Sequence, residues 1–544
     1  MDLKEEIKKI IKGDVSCDQS TLSIYSRDAS IFKINPTIVV YPKDVEDVES
    51  LVKFVSQKRK EGQNLSLTVR SAGTDMSGGP LTESIVVDMT RYFNKILEIG
   101  DDYAVVQPGV FYRDFEKETL KHNLLLPSYP ASRELCTIGG MVSNNSGGEL
   151  TLKYGKTQKY VKKIKIVLKD GKEHEFAPIS FEELEEKKKL PGVEGEIYSK
   201  ISEIIENNFE DIQNAKPDVS KNSSGYYLWD VEDKERKIFD LTKLIVGSQG
   251  TFGIITQVTL GLVKPQKFRH LVIAYLNDIN LIPSIVGEIL ELGPESFESF
   301  DDHTFKIAMK FLLQVIKKMK GNFIKLAFSF IPEVWAMITG GIPKLLLMAE
   351  FAADSDKEAL DLANKALYVF KKYNLKSKVA SLTEERQYWI FRRESFNLLR
   401  SKIKNMHTAP FIDDFSVNPK KLPEFLPKLY EILNQYDIIY TIAGHIGDGN
   451  FHIIPLMKLS DPKTKMIIEE LSKKVYELVI QFKGTITSEH NDGLIRTPFL
   501  ELMFGKKMVS LFEQVKDVFD PQAIFNPGKK VRSSWEYAMN HLDV

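Results

Sequence analysis

Ala443-Gly444-His445-Ile446-Gly447-Asp448-Gly449-Asn450-Phe451-His452 lies between two apolar runs, Asp437–Ile442 and Phe451–Pro455. Asp-Gly between such runs marks a β-hairpin, because the primed turns that match strand twist need residues tolerant of positive φ. The chain is therefore committed to an antiparallel sheet in its second half. A two-residue turn at Asp448-Gly449 predicts pairing of Gly447 with Asn450, Ile446 with Phe451 and His445 with His452. Directly opposed residues share a face with Cβ atoms about 5 Å apart, so both imidazoles can reach one ion. Glu489, in Thr487-Ser488-Glu489-His490-Asn491-Asp492-Gly493, is the third candidate ligand. Two His and one carboxylate leave coordination positions open, as in a catalytic rather than a structural metal site. Two histidines beside a tight turn need no ion by themselves. The matched register and the Glu489-His490 pair are what favour one.

The 544 residues suffice for two or three domains. A formal charge of −1 gives no reason to expect nucleic acid as a partner. Cys17 and Cys136 are the only cysteines, which excludes a disulfide framework and an iron–sulfur cluster held by this chain alone. The N-terminal residues are charged and helical in pattern, and no uncharged apolar run reaches the ~18 residues of a membrane span. These observations lead to the expectation of a cytoplasmic protein.

The first 35 residues read as one short helix and an irregular lead-in. The pattern then becomes strand (Thr37–Tyr41), helix (Val45–Lys58), strand (Leu65–Val69) and strand (Ser84–Asp88). Between the last two lies Arg70-Ser71-Ala72-Gly73-Thr74-Asp75-Met76-Ser77-Gly78-Gly79. Such a loop lets backbone N–H groups converge on an anion, although a plain glycine-rich connection has the same composition. It is neither a Walker loop nor a nicotinamide fingerprint. Further small-residue segments follow at Pro127–Ser132, Thr137–Gly148 and Leu244–Thr256. Together they can frame one long ligand by close backbone approach.

In their order, and with His-x-Gly-Asp-Gly-Asn-x-His and the later Glu-His, these segments resemble the vanillyl-alcohol oxidase and p-cresol methylhydroxylase flavoproteins. The resemblance is to their branch of FAD-linked D-2-hydroxyacid dehydrogenases and runs from about Thr37 to Lys530. It implies an α+β fold with a two-part FAD-binding domain (1–264), an antiparallel-sheet cap carrying substrate and metal (265–500), and a C-terminal segment (501–544) that returns to the flavin. FAD would be bound without a covalent tether. Arg70, Ser71, Ala72, Gly73, Thr74, Asp75, Ser77 and Gly78 would hold the pyrophosphate. Ser132, Thr137, Gly139, Gly140, Ser143, Asn145 and Gly147 would line the flavin side, with Gly253 and Ile255 toward the adenine half and Asn526 beside the ring. His445, His452 and Glu489 would hold a divalent metal (zinc, manganese or iron), His490 would be the base, and Arg392 of Trp-x-x-Arg would pair with the substrate carboxylate.

Several positions depart from the family pattern. Ser71 stands where Gly is usual and Tyr129 where Asp is usual. Ser488, Asn491 and Asp492 break Gly-Glu-His-Gly-Ile-Gly, so a rearranged pocket with Asn491 in the left-handed region is expected. The Lys that dicarboxylate-specific relatives place near Ile412 is missing, which points to a D-lactate- or glycolate-like substrate.

The remaining cap elements read as Leu271–Leu276 (β), Ile282–Leu292 (α), Glu298–Asp301, Leu345–Phe351 (β) and Asp356–Lys372 (α). Between them, Thr304–Lys344 holds seven Lys and one acid, Glu333, amid apolar residues. A helix face there either packs on the cap or lies in an anionic membrane interface. With no cluster in the chain, electrons would leave to a quinone, an electron-transfer flavoprotein or an iron–sulfur protein. A homodimer is compatible with the resemblance. A redox-neutral enzyme of the alkyl-dihydroxyacetone-phosphate synthase type and a non-catalytic flavoprotein subunit are the rival readings.

Overall fold

The structure, a computed structural model, describes residues 2–302, 343–389, 392 and 406–544. The basic segment 304–344 therefore lies almost wholly outside the described residues, as does most of the helix expected after Trp389.

Ile38–Tyr41, Ile85–Asp88 and Leu67–Arg70 form a parallel sheet, and Asp14–Ser16 adds antiparallel beside Ile38–Tyr41. The first 35 residues are thus more ordered than their sequence suggests. They supply this strand and a second helix, Gln19–Tyr25, started by Asp18, whose side chain accepts from the Thr21 amide. The Val45–Lys60 helix begins at Asp44, which accepts from the Asp47 amide, and ends in Lys58-Arg59-Lys60 against the negative pole of its dipole. Its spacing brings Val48, Leu51, Val52 and Val55 onto Ile38, Val40, Ile85 and Val87, all fully buried. Each such burial contributes about 1.5–3 kcal/mol.

A second, antiparallel sheet runs in the order Ile96–Ile99, Tyr103–Val106, Ile254–Gly261, Val161–Val167, Glu173–Phe176. The Val193–Asn207 helix covers it, together with the Leu500–Phe519 helix from the far end of the chain. Beyond that helix the chain reaches the first sheet. The Leu67 amide donates to Ile524 O (2.7 Å) and the Asn526 amide to Leu67 O (2.9 Å), extending the edge from which the Arg70–Gly79 loop departs.

The cap is one antiparallel sheet in the order Lys376–Val379, Phe268–Leu276, Leu345–Ala353, Ser296–Asp301, Ile439–His445, Asn450–Met457, His407–Thr408. Helices Ile282–Glu291, Asp356–Lys372, Leu422–Leu433 and Pro462–Gln481 bury their apolar sides on it. No helix among the described residues is long and apolar enough to cross a membrane.

Candidate active site and metal centre

The hairpin forms, but two residues out of the expected register. Ile446–Asp448 make a single 3-10 turn closed by Gly449 at φ +62, so His445 pairs with Asn450 and Ala443 with His452. Asp-Gly serves a longer loop because only Gly449 needs the left-handed region. A shift of two preserves the face on which each side chain lies. The rings of His445 and His452 still meet, with centroids 5.4 Å apart.

Glu489 Oε1 is the point of convergence. His445 Nε2 lies 3.3 Å from it, His452 Nε2 3.4 Å and His490 Nε2 4.0 Å. Each ring gives its other nitrogen to a buried carboxylate. His445 Nδ1 meets Glu298 Oε1 at 2.5 Å, while His452 Nδ1 and His490 Nδ1 meet the two oxygens of Asp413 at 3.0 and 2.7 Å. Nδ1 bound in this way leaves Nε2 as the free lone pair of a neutral ring, which is how metal-ligating histidines are held. Glu298 is delivered by the sheet, where Ser299 pairs with Gly444, next to His445.

The buried carboxylates favour positive charge here, on the rings or on an ion that takes the place of their protons. Burial pushes His452 down, but Asp413 and Glu489 outweigh it and raise the imidazole to about 10. Burial likewise opposes His490, and Asp414 and Asp413 raise it. Burial pushes Glu489 up, yet Lys221, His445 and His452 hold it well below the usual carboxylate range. The field at the meeting of the Nε2 atoms therefore favours positive charge, which suits a divalent cation.

Asp414, His452, Glu489 and His490 also present ligand atoms within 4.8 Å of one another. Asp414 is nevertheless a clamp rather than a ligand. Its Oδ2 accepts from Thr487 Oγ1 (2.6 Å) and from the amides of Ser488 (2.8 Å), Glu489 (2.8 Å) and His490 (2.7 Å). This nest of donors shapes the irregular segment that carries Glu489 and His490. His452, Glu489 and His490 belong to that group, and His445, which does not, still brings its Nε2 to 3.3 Å from Glu489 Oε1.

Glu489 and His490 line one cleft with Ser71, Ala72, Gly73, Thr74, Asp75, Ser132, Thr137, Gly139, Gly140, Ser143, Gly147, Gly253 and Ile255. Arg70, Ser77, Gly78, Asn145 and Asn526 stand behind that lining. The Arg70 guanidinium turns away to donate to Tyr25 O (3.2 Å) and Arg27 O (2.5 Å). It lies under Gly73, where a Cβ would meet it at 2.3 Å and where φ is +70. Asn145 binds Gln158, and Asn526 donates to the carbonyls of Gly79 and Gln249. Ser71 does not take positive φ. Tyr129 points out of the cleft and donates to Glu149 (3.2 Å).

Asn491 adopts φ +67, the left-handed conformation expected of it. Two of the three residues of that departure share a buried partner, since Lys530 Nζ reaches Asn491 Oδ1 (2.8 Å) and Asp492 Oδ2 (2.7 Å). Arg392 Nε donates to Glu298 Oε2 at 3.2 Å, so one carboxylate joins it to His445. Sequence reasoning passed over Asp413, Asp414, Glu298 and Lys221. Acids inside Ala409-Pro410-Phe411-Ile412-Asp413-Asp414-Phe415 are charges in apolar company and were the available signal, whereas Lys221, among Ser220, Asn222, Ser223 and Ser224, carried none.

Two family profiles match, "FAD binding domain" over residues 36–177 and "FAD linked oxidases, C-terminal domain" over 281–530. A D-2-hydroxyglutarate dehydrogenase of Pseudomonas putida is 26% identical over 526 residues, 95% of this chain and 50% of that protein, so the chain spans about half the length of this relative. A glycolate oxidase subunit of Bacillus subtilis is 26% identical over 539 residues, 97% of this chain and 96% of its own length. The solved 4-ethylphenol oxidase from Gulosibacter chungangensis superposes with a TM-score of 0.69 at 15% identity, covering 98% of this chain and 97% of that one, and shows a shared fold. With one profile in its first half and the other across its second, the chain belongs to the FAD-linked oxidases, and it shares the fold of p-cresol methylhydroxylase.

Proposed function

We propose that this chain oxidises a small D-2-hydroxy acid, D-lactate- or glycolate-like, to the 2-oxo acid and hands the electrons to a separate acceptor. The observation that carries this reading is the convergence of three imidazole Nε2 atoms on Glu489 Oε1 at the wall of the FAD cleft. In this reading residues 1–264 bind FAD, 265–500 form the cap and 501–544 close the flavin domain.

His445, His452 and Glu489 would hold a divalent ion, which would supply Lewis acidity to a substrate hydroxyl, and bound FAD would supply the hydride acceptor. The chain's own part is placement and proton transfer. His490 Nε2 takes the hydroxyl proton while Asp413 keeps the Nδ1 proton in place and steadies the charge that forms on the ring. Arg392 offers a planar fork for the substrate carboxylate, and Glu298 holds that fork in line with His445. Ile412 is fully buried in the cap core, so no cation there meets a second carboxylate. This favours a monocarboxylate, although relatives named for D-2-hydroxyglutarate and for glycolate are equally similar.

The test is anaerobic flavin reduction across D- and L-2-hydroxy acids, with metal measured on the same sample. D-lactate or glycolate should bleach the flavin, and chelation should stop this while dithionite still reduces it. Bleaching by none of the acids, or undiminished bleaching after complete metal removal, would refute the reading.

A further inference from the structure

We propose that Lys221 keeps Glu489 a one-oxygen ligand, so that the metal retains an open position for substrate. The proposal rests on the metal reading above and concerns a residue which that reading does not use.

Lys221 lies in the irregular but buried stretch Lys221–Trp229, and its side chain is 0% exposed. Nζ stands 3.3 Å from Glu489 Oε2, 3.3 Å from Asp448 Oδ2 and 3.4 Å from Gly148 O. Asp448, at the hairpin turn, has its other oxygen occupied by Ser220 Oγ at 2.6 Å. The ammonium thus bridges the two strands of sequence that carry the ligands. Glu489 Oε1 faces the histidines, and Oε2 faces Lys221. Gly147 borders Oε2 as well, where an added Cβ would come within 3.2 Å of it.

Carboxylates bind cations through one oxygen or both. With two histidines, a bidentate Glu489 would fill the sphere further, whereas a catalytic site must keep a position free. A buried ammonium also repels a nearby divalent ion, so its presence is costly for affinity and makes sense as a restriction on geometry. Replacing it with an uncharged chain of similar length should release Oε2. The metal then stays, and the substrate loses its place.

The experiment uses the FAD-loaded protein carrying cobalt(II), read by X-ray absorption. The pre-edge intensity follows coordination number, and the flavin does not contribute. Wild type should give a four- or five-coordinate spectrum that changes when D-lactate or glycolate is added. Lys221→Met should hold cobalt as tightly or more tightly, show higher coordination and lose the substrate-induced change, with KM raised about tenfold or more. Lys221→Gln serves if the Met variant loses FAD. Unchanged coordination in a FAD-bound variant, or loss of cobalt with FAD retained, would overturn the proposal, as would a six-coordinate wild type indifferent to substrate. A wild type that takes up no cobalt would instead overturn the metal reading itself, and this one with it.

Discussion

Asp413→Asn tests how the site is wired, because one fully buried carboxylate serves two imidazoles. Its oxygens take Nδ1 of His452 at 3.0 Å and Nδ1 of His490 at 2.7 Å. Asparagine keeps the shape but offers one acceptor and one NH2 donor. Whichever ring faces the NH2 must accept at Nδ1 and carry its proton on Nε2. If that ring is His452, its Nε2 can no longer bind the ion, and second-layer losses of this kind cost about 10–100-fold in metal affinity, or about 1.4–2.7 kcal/mol. If it is His490, its Nε2 cannot take the substrate proton, and the rate should fall by about 10²–10⁴. The variant must therefore fail on one side, and the two failures are separable. Metal content by mass spectrometry reports the first, and stopped-flow bleaching of the flavin under saturating metal reports the second. Asp413→Asn with both properties within about threefold of wild type, well inside the smallest loss expected, would refute the assignment.

Two other perturbations follow from the same geometry. His452→Ala should lose metal and His490→Ala should keep it. Both should retain FAD by absorbance yet lose substrate bleaching by about 10² or more, and bleaching at wild-type rate in either would contradict the roles given to them. Glu350 probes pH and stability, since burial first and then Glu295, Glu149 and Glu385 raise it from 4.5 to about 8, with Arg269 opposing. A carboxyl whose folded pKa lies above its unfolded value binds an extra proton when folded, so its cost grows from about pH 4.5 and is complete above about 8. At about 1.36 kcal/mol per pH unit the ceiling is about 5 kcal/mol. Glu350→Gln should therefore lose less Tm than wild type between pH 6 and 9 by calorimetry, and parallel profiles would count against it.

The FAD-binding half was largely legible from local pattern. Helical spacing at Val48, Leu51, Val52 and Val55, apolar runs for the strands, and glycines at strand ends are each set by a residue's immediate neighbours, and the corresponding elements formed within a few positions of expectation. That His445, His452, Glu489 and His490 would come together was legible too, because ligating chemistry confines the choice of side chain. The hairpin register was not. Asp448-Gly449 suits two loop lengths, and Gly444 packing against Ser299 of another strand belongs to the tertiary sheet.

What holds the site in shape is nonlocal. Glu298 reaches His445 across the sheet, Asp413 joins two histidines from separate segments, and Lys221 and Lys530 neutralise Glu489 and Asp492 from far along the chain. An isolated acid or lysine in a sequence carries no sign of its partner, and exposed and buried charges are spelled alike. Only when folding removes water does an unpaired charge become intolerable, and only then is each of these residues required where it stands.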